Sequence, residues 1–225
     1  MSHHDHSHGH GHGHDDEHAE AHNHIHDHDD DITPALQNLL YSQIDFSKLQ
    51  TLNEATSNSG RDICQKTWTQ RLDPDPSLTS STDEQLLMHI PFTGQVRLHS
   101  ILLRTSNTPS CPKTLKVFIN DPGLDFETAS EKEPTQELSV AQTSDIQEIP
   151  VKRVKFNTTR SLELFFEDNW GQGEEDETRI SYLAFKGDFM KLNKEAVSVL
   201  YEAAANPSDH KQIVGTGVGV GRSIQ

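Results

Sequence analysis

Histidine is the residue type in this chain best placed to do chemistry, and twelve of its fifteen histidines fall within the first 31 residues. The run HGHGHGH sets His8, His10, His12 and His14 at every second position. HNHIHDHDDD repeats that spacing with His24, His26 and His28 and adds carboxylates. In an extended chain alternate side chains share a face, and the interleaved glycines let the backbone bend so that several imidazoles reach one ion. Neutral imidazole suits zinc, nickel and copper, and at an unperturbed pKa of ~6.5 most of these rings are neutral at pH 7. The segment is therefore expected to take up zinc, nickel or copper in vitro, as an adventitious ion rather than a required cofactor. Without an ion it is a solvated tail that gains positive charge as pH falls through ~6.5.

A second pair of histidines follows from strand register. Leu86, Met88, Ile90 and Phe92 alternate, as do Val96 and Leu98, in the period-2 pattern of half-buried strands. A hairpin closed by the three-residue loop Thr93-Gly94-Gln95 sets Phe92 beside Val96 and Ile90 beside Leu98, so that both strands bury one face. That register puts His89 opposite His99, which is half a zinc site with no further ligand nearby in sequence.

Trp170 lies in EDNWGQGEEDET. A tryptophan in an acidic, glycine-bearing loop either closes one end of a domain or is displayed to a partner, and tryptophan is enriched at binding hot spots. Asp168, Glu174, Glu175 and Asp176, with Glu167 and Glu177, supply charge complementary to a basic partner and would speed encounter. The candidate partner-binding set is thus Trp170, Asp168, Glu174, Glu175 and Asp176. No GxSxG, HExxH, P-loop or dinucleotide-binding glycine pattern occurs. No catalytic residue is assigned, and the chain is read as a non-enzyme.

The elements that must position these residues are short strands. After the hairpin, whose second strand runs on through ILLRT, the segments TLKVFIN, QELSV, QEIPVKRVKFN (with Val154 and Phe156 alternating), SLELFFE and RISYLAFKG read as strands. DICQKTW reads as an edge strand anchored by Ile63 and Trp68. EAVSVLYEAAA is assigned to a strand, although Val197, Leu200 and Ala204 also fit a helix. Between them lie LDPDPSLTSSTDE, the acidic loop DPGLDFETASEKEPTQ and NWGQGEEDET. Leu36, Leu39, Leu40 and Ile44 suggest a short helix or packed arm. Eight or nine strands with Pro/Asp/Gly loops and no helix–strand alternation predict an all-β, jelly-roll-like β-sandwich.

Composition sets the boundaries. Residues 1–31 hold nine carboxylates, no Lys or Arg, and Ile25 as the one large aliphatic. Such a segment is expected to stay disordered, because it cannot bury enough surface to offset ordering entropy. The sandwich is expected over 32–210, with 211–225, rich in alternating glycine, as a flexible tail. The formal net charge is −16 and no basic stripe is evident, which argues against nucleic acid and against anionic membranes. No apolar run approaches the ~20 residues of a membrane span. Cys64 and Cys111 form no CxxC and read as reduced thiols.

Three motifs carry a family resemblance: LLMHIPFTGQVRLHSILL, PKTLKVFIN with DPGLDFETA, and LELFFEDNWGQGEEDETRISYLAFKG. From about Ile44 to Gly187 the chain resembles the PITH domain, the module first named as the C-terminal part of a proteasome-interacting thioredoxin. MSHHDHSHGH and YEAAANPSDH resemble the stand-alone members of that family, which lack the thioredoxin domain. The resemblance implies a β-sandwich that associates with the 26S proteasome as an accessory or regulatory factor, in cytoplasm and nucleus. It carries over no redox function, since the thioredoxin part and its CxxC are missing here. No nucleic acid, membrane or small-molecule substrate is expected. Two other readings are a metal-binding protein working through the histidine tail, and a carbohydrate-binding jelly roll by analogy of fold alone.

Overall fold

The 19-residue strand β3 (Leu86–Arg104) organises the molecule. The computed structural model describes residues 36–191. The other strands in chain order are β1 (Gln50–Leu52), β2 (Leu78–Thr79), β4 (Pro112–Ile119), β5 (Gln136–Ser139), β6 (Ile146–Pro150), β7 (Thr159–Asn169), β8 (Arg179–Ile180) and β9 (Tyr182–Met190). The first part of β3 lies in a layer ordered β1-β3-β7-β4-β5; its second part is flanked by β6 and β9. One strand thus belongs to both layers of the sandwich. β2 and β8 form a separate two-stranded pair.

The pattern of buried residues along β3 explains how it changes layer. Leu86, Met88, Ile90, Phe92, Val96 and Leu98 enter the main core, after which Ile101 and Leu103 do so. The parity switches at His99. There β3 advances from Leu98 to Ser100 while β9 moves only from Gly187 to Lys186, a one-residue bulge that turns the following side chains over. Gly187 sits at this bulge, where a Cβ would run into the Arg97 carbonyl. Earlier, β3 runs from Pro91 to Val96 while β7 passes only from Ser161 to Thr159, and this larger irregularity bends the strand between layers.

The expected hairpin at Thr93-Gly94-Gln95 is therefore absent, although Ile90 and Leu98 are both fully buried in one core as that register required. A three-residue loop and an unbroken strand leave Phe92 and Val96 with the same parity, so alternation alone could not separate them. The facing of His89 and His99 falls with the hairpin. His89 is flanked by Gln50 and Glu163, and His99 occupies the bulge beside Asp188.

Three further segments depart from expectation. DICQKTW is helical, as α1 (Ser59–Gln65) and a 3-10 turn at Trp68–Gln70. The Glu54 carboxylate accepts from the Asn58 and Gly60 amides at 2.5 and 3.0 Å and so starts the helix from outside the segment. Ile63 is fully buried as expected, and Trp68 is half-buried. The loop after Ile119 contains α2 (Phe126–Glu131), capped by Asp125 Oδ1, which accepts from the Thr128 amide at 2.8 Å. Leu124, Phe126 and Ala129 cover Leu87, Phe118 and Phe165 on the outer face of the first layer. In QEIPVKRVKFN the strand ends at Pro150 and a 3-10 turn follows at Arg153–Phe156, with Phe156 buried and Val154 87% exposed.

The arm from Leu36 packs by a 3-10 turn at Tyr41–Gln43 and by bridges from Leu39 to Lys186 and Ile44 to Phe92. The nine strands form an all-β, jelly-roll-like sandwich. The strand expected at 195–205, both tails and every histidine of residues 1–31 lie outside the described residues.

Candidate functional site

At one end of the sandwich β7 runs into the acidic loop 170–177, and Asn169, 2% exposed, gives that loop its shape. Its Oδ1 accepts from the Gly171 amide at 2.9 Å, and its Nδ2 donates to the Glu175 and Glu177 carbonyls at 2.8 and 3.3 Å. Gln172 and Gly173 adopt positive φ (52° and 86°), which lets the chain turn back within these bonds.

Trp170 is half-buried against the main core. Its Nε1 donates to the Val140 carbonyl at 3.1 Å, and Lys113 Nζ lies 5.8 Å from the ring centroid. Of the two roles open to it, the ring serves chiefly as the closure of this end, with its free edge lining a shallow cleft beside Pro109, Glu174 and Glu175. Asp168 is committed to the sheet: Oδ1 accepts from the Thr114 amide at 2.8 Å, where β4 and β7 lose register, and Oδ2 lies 3.8 Å from Lys113 Nζ. Glu174 and Asp176 are exposed, and Glu175 is half-buried with Oε1 accepting from the Glu177 amide at 3.2 Å. The structure thus gathers Trp170, Glu174 and Glu175 at one cleft and leaves Asp168 as a sheet-positioning residue.

A second cleft of about 640 Å³ adjoins the same loop and shares Pro109 and Glu175 with the first. Arg104 is fixed there, donating from Nε to the Ser144 carbonyl at 3.0 Å and from Nη1 to Ser181 Oγ at 3.2 Å. Beneath it the buried Lys66 ammonium donates to the carbonyls of Asp73 and Ser181 at 2.8 and 2.7 Å, which ties the DPDP loop to the start of β9. Burial holds the Lys66 pKa below its usual range.

The site that sequence reasoning missed lies on the outer face of the first layer. Glu163 of β7 is 2% exposed. Its Oε1 accepts from Ser161 Oγ at 2.9 Å and lies 2.9 Å from His89 Nδ1, while Oε2 accepts from the Asp121 amide at 3.2 Å. A carboxylate oxygen accepts, so Nδ1 carries the hydrogen and the rest of the ring is turned to the groove. That groove, about 480 Å³, is lined by Leu52, Leu87 and Leu124 with Lys48, Gln50 and His89. One signal was available in SLELFFE. Phe165 shares its face with Glu163, so that face had to be covered, and a covered carboxylate needs donors. The three donors on Glu163 make this an oriented hydrogen-bonding socket, and Ser47, a hydroxyl at its rim, donates to Asp45.

Among the described residues no group of three or more His, Cys, Asp or Glu side chains is placed to hold a metal ion. Cys64 and Cys111 are buried and unpaired with each other. Among the described residues neither His89 nor His99 belongs to such a group.

Comparison with known proteins agrees with the motifs. The family model described as the PITH domain matches residues 30–205. A PITH domain-containing protein of Drosophila pseudoobscura pseudoobscura is 38% identical, over 83% of this chain and 86% of that protein. PITH domain-containing protein 1 of Homo sapiens is 34% identical, over 76% of this chain and 80% of that protein. Among solved structures, the family 32 CBM from C. perfringens NanJ in complex with galactose superposes with a TM-score of 0.48 at 7% identity, over 66% of this chain and 97% of that one. The C-terminal domain of a chitobiase from Bacteroides fragilis gives a TM-score of 0.44 at 16% identity, over 66% and 99%. Neither structural likeness bears on what this chain binds. With the family model spanning most of the chain and relatives above one-third identity covering it at comparable length, the chain belongs to the PITH domain family.

Proposed function

We propose that this chain is a non-enzymatic protein-interaction module that associates with the 26S proteasome as an accessory or regulatory factor, acting in cytoplasm and nucleus. The proteasome part of this reading rests on likeness to the C-terminal module of the proteasome-interacting thioredoxin. The observation that carries the interaction reading is the acidic loop 170–177, held in one shape by Asn169 with Glu174 and Asp176 exposed. A loop fixed before encounter loses little entropy on binding, and its carboxylates suit a basic partner surface.

The test is co-sedimentation of the full-length chain with purified 26S proteasome. Three proteins are compared: the native chain, a Glu174→Lys/Asp176→Lys variant, and Trp170→Ala. Binding by the native chain and weakening by at least about tenfold in the double charge reversal is the expected result. No sedimentation of the native chain with proteasome would remove the assignment. Unchanged binding by both variants would move the contact away from this loop.

A further inference from the structure

At the far end of β7 from Trp170 the surface changes sign. The strand's 11 residues set the two ends roughly 35 Å apart at ~3.3 Å per residue. Thr158, immediately before β7, lines a groove of about 470 Å³ with Gln95, Arg97, His99, Arg153 and Asp188. Arg97 and Arg153 are exposed, and neither guanidinium meets a carboxylate among the described residues. The groove's one acid, Asp188, is engaged by His99, whose Nε2 lies 3.1 Å from Oδ2. Positive charge therefore dominates here in a chain whose formal net charge is −16.

The turn that presents Arg153 is built firmly. Phe156 at its end is fully buried, and Lys155 Nζ donates to the Thr135 carbonyl at 2.8 Å. Between Arg153 and Lys155 stands Val154, 87% exposed, the most exposed of the large apolar side chains described. The turn thus sets an exposed apolar side chain next in sequence to the groove-lining Arg153, so a ligand held by Arg153 can meet a cation and an apolar group together.

We infer that this groove docks a short acidic peptide segment of a partner protein, its carboxylates on Arg97 and Arg153 and an apolar side chain against Val154. Charge complementarity selects the occupant. In a chain of formal net charge −16, a long polyanion such as RNA, or an anionic membrane, meets net repulsion beyond the groove, whereas a short peptide spans only the two arginines. The inference is independent of proteasome association and of the acidic loop.

The experiment is fluorescence anisotropy on the full-length chain with three labelled probes: a 12-residue peptide alternating Glu and Leu, the same peptide with Lys for Glu, and a single-stranded oligonucleotide of equal charge. Saturable binding of the Glu/Leu peptide alone is expected. It should fall about tenfold in Arg97→Glu/Arg153→Glu, fall several-fold in Val154→Asp, and persist in Glu174→Lys. Thermal unfolding of each variant confirms that the exposed substitutions leave the fold intact. Equal peptide binding by the Arg97/Arg153 variant, or no binding by the native chain, overturns the proposal. Equal or tighter binding of the oligonucleotide overturns it in favour of a nucleic-acid surface. A tenfold gain in peptide affinity on replacing Asp27, Asp29, Asp30 and Asp31 by Asn would make the chain's own N-terminal acids the occupant and overturn the partner assignment.

Discussion

His89 Nδ1 lies 2.9 Å from Glu163 Oε1, so a strand that enters the first layer beside β1 is tied to the middle strand β7 by a buried carboxylate. Glu163 also receives the Ser161 hydroxyl and the Asp121 amide, which joins the loop before α2 to the same point. Removing the carboxylate leaves three donors without an acceptor. Glu163→Ala is expected to destabilise the fold by ~2–3 kcal/mol, less than a fully buried pair because His89 is partly exposed. Glu163→Gln keeps one acceptor oxygen and should cost about 1 kcal/mol. Urea unfolding measures both, and equal losses would show that the hydrogen-bond count does not govern this site.

The acidic loop depends on one buried amide. Asn169→Ala deletes three hydrogen bonds that shape residues 171–177 and is expected to cost ~2 kcal/mol globally. The sharper effect is local. Amide exchange at Gly171 should accelerate far more than at Leu164 in the centre of β7. Uniform acceleration across both would mean that the loop does not open independently.

Glu148 of β6 bridges to β9, with Oε2 held by Lys186 Nζ at 2.6 Å and Oε1 by Ser100 Oγ at 2.8 Å. The Lys186 bond is the larger cause holding the Glu148 carboxyl below its ordinary pKa of 4.5, and the Ser100 bond adds to it. A depressed carboxylate contributes stability that is complete above that value and is lost as pH falls through the lower folded one. With half the side chain exposed, solvent screening limits the contribution to about 0.5 kcal/mol. The acid side of the urea-midpoint profile should flatten in Glu148→Gln, with stability unchanged at the acid end, where the carboxyl is protonated in both states. A variant that loses as much stability there as at neutral pH would point to lost packing.

Cys64 and Cys111, the chain's two cysteines, are 1% and 0% exposed. Desolvation pushes both thiols up, which suppresses the reactive thiolate as well as access. An aromatic disulfide reagent should titrate no thiol rapidly in the native protein and two in urea, with native labelling following the rate of opening. A fast native thiol would contradict this burial.

Alternation of apolar residues and turn chemistry determined that this is a β-sandwich, that Leu86, Met88, Ile90 and Phe92 share one buried face of a strand, and that an acidic loop carries Trp170. These are properties of neighbouring residues, and the period-2 pattern states them directly. The strand's continuity through Thr93-Gly94-Gln95, the helix at Ser59–Gln65 and the turn that exposes Val154 were decided by tertiary structure. For β3 and for the Val154 turn the deciding partner is remote, β7 and β9 in the first case and the pocket that receives Phe156 in the second; for α1 it is Glu54, just outside the segment, whose carboxylate reaches the Asn58 and Gly60 amides only in the folded chain. The same holds for function. Sequence located Trp170 and the carboxylates but could not say that Asp168 is spent on Thr114 or that Glu163 and His89 meet, because facing positions on separate strands are fixed only when the whole sandwich closes around them.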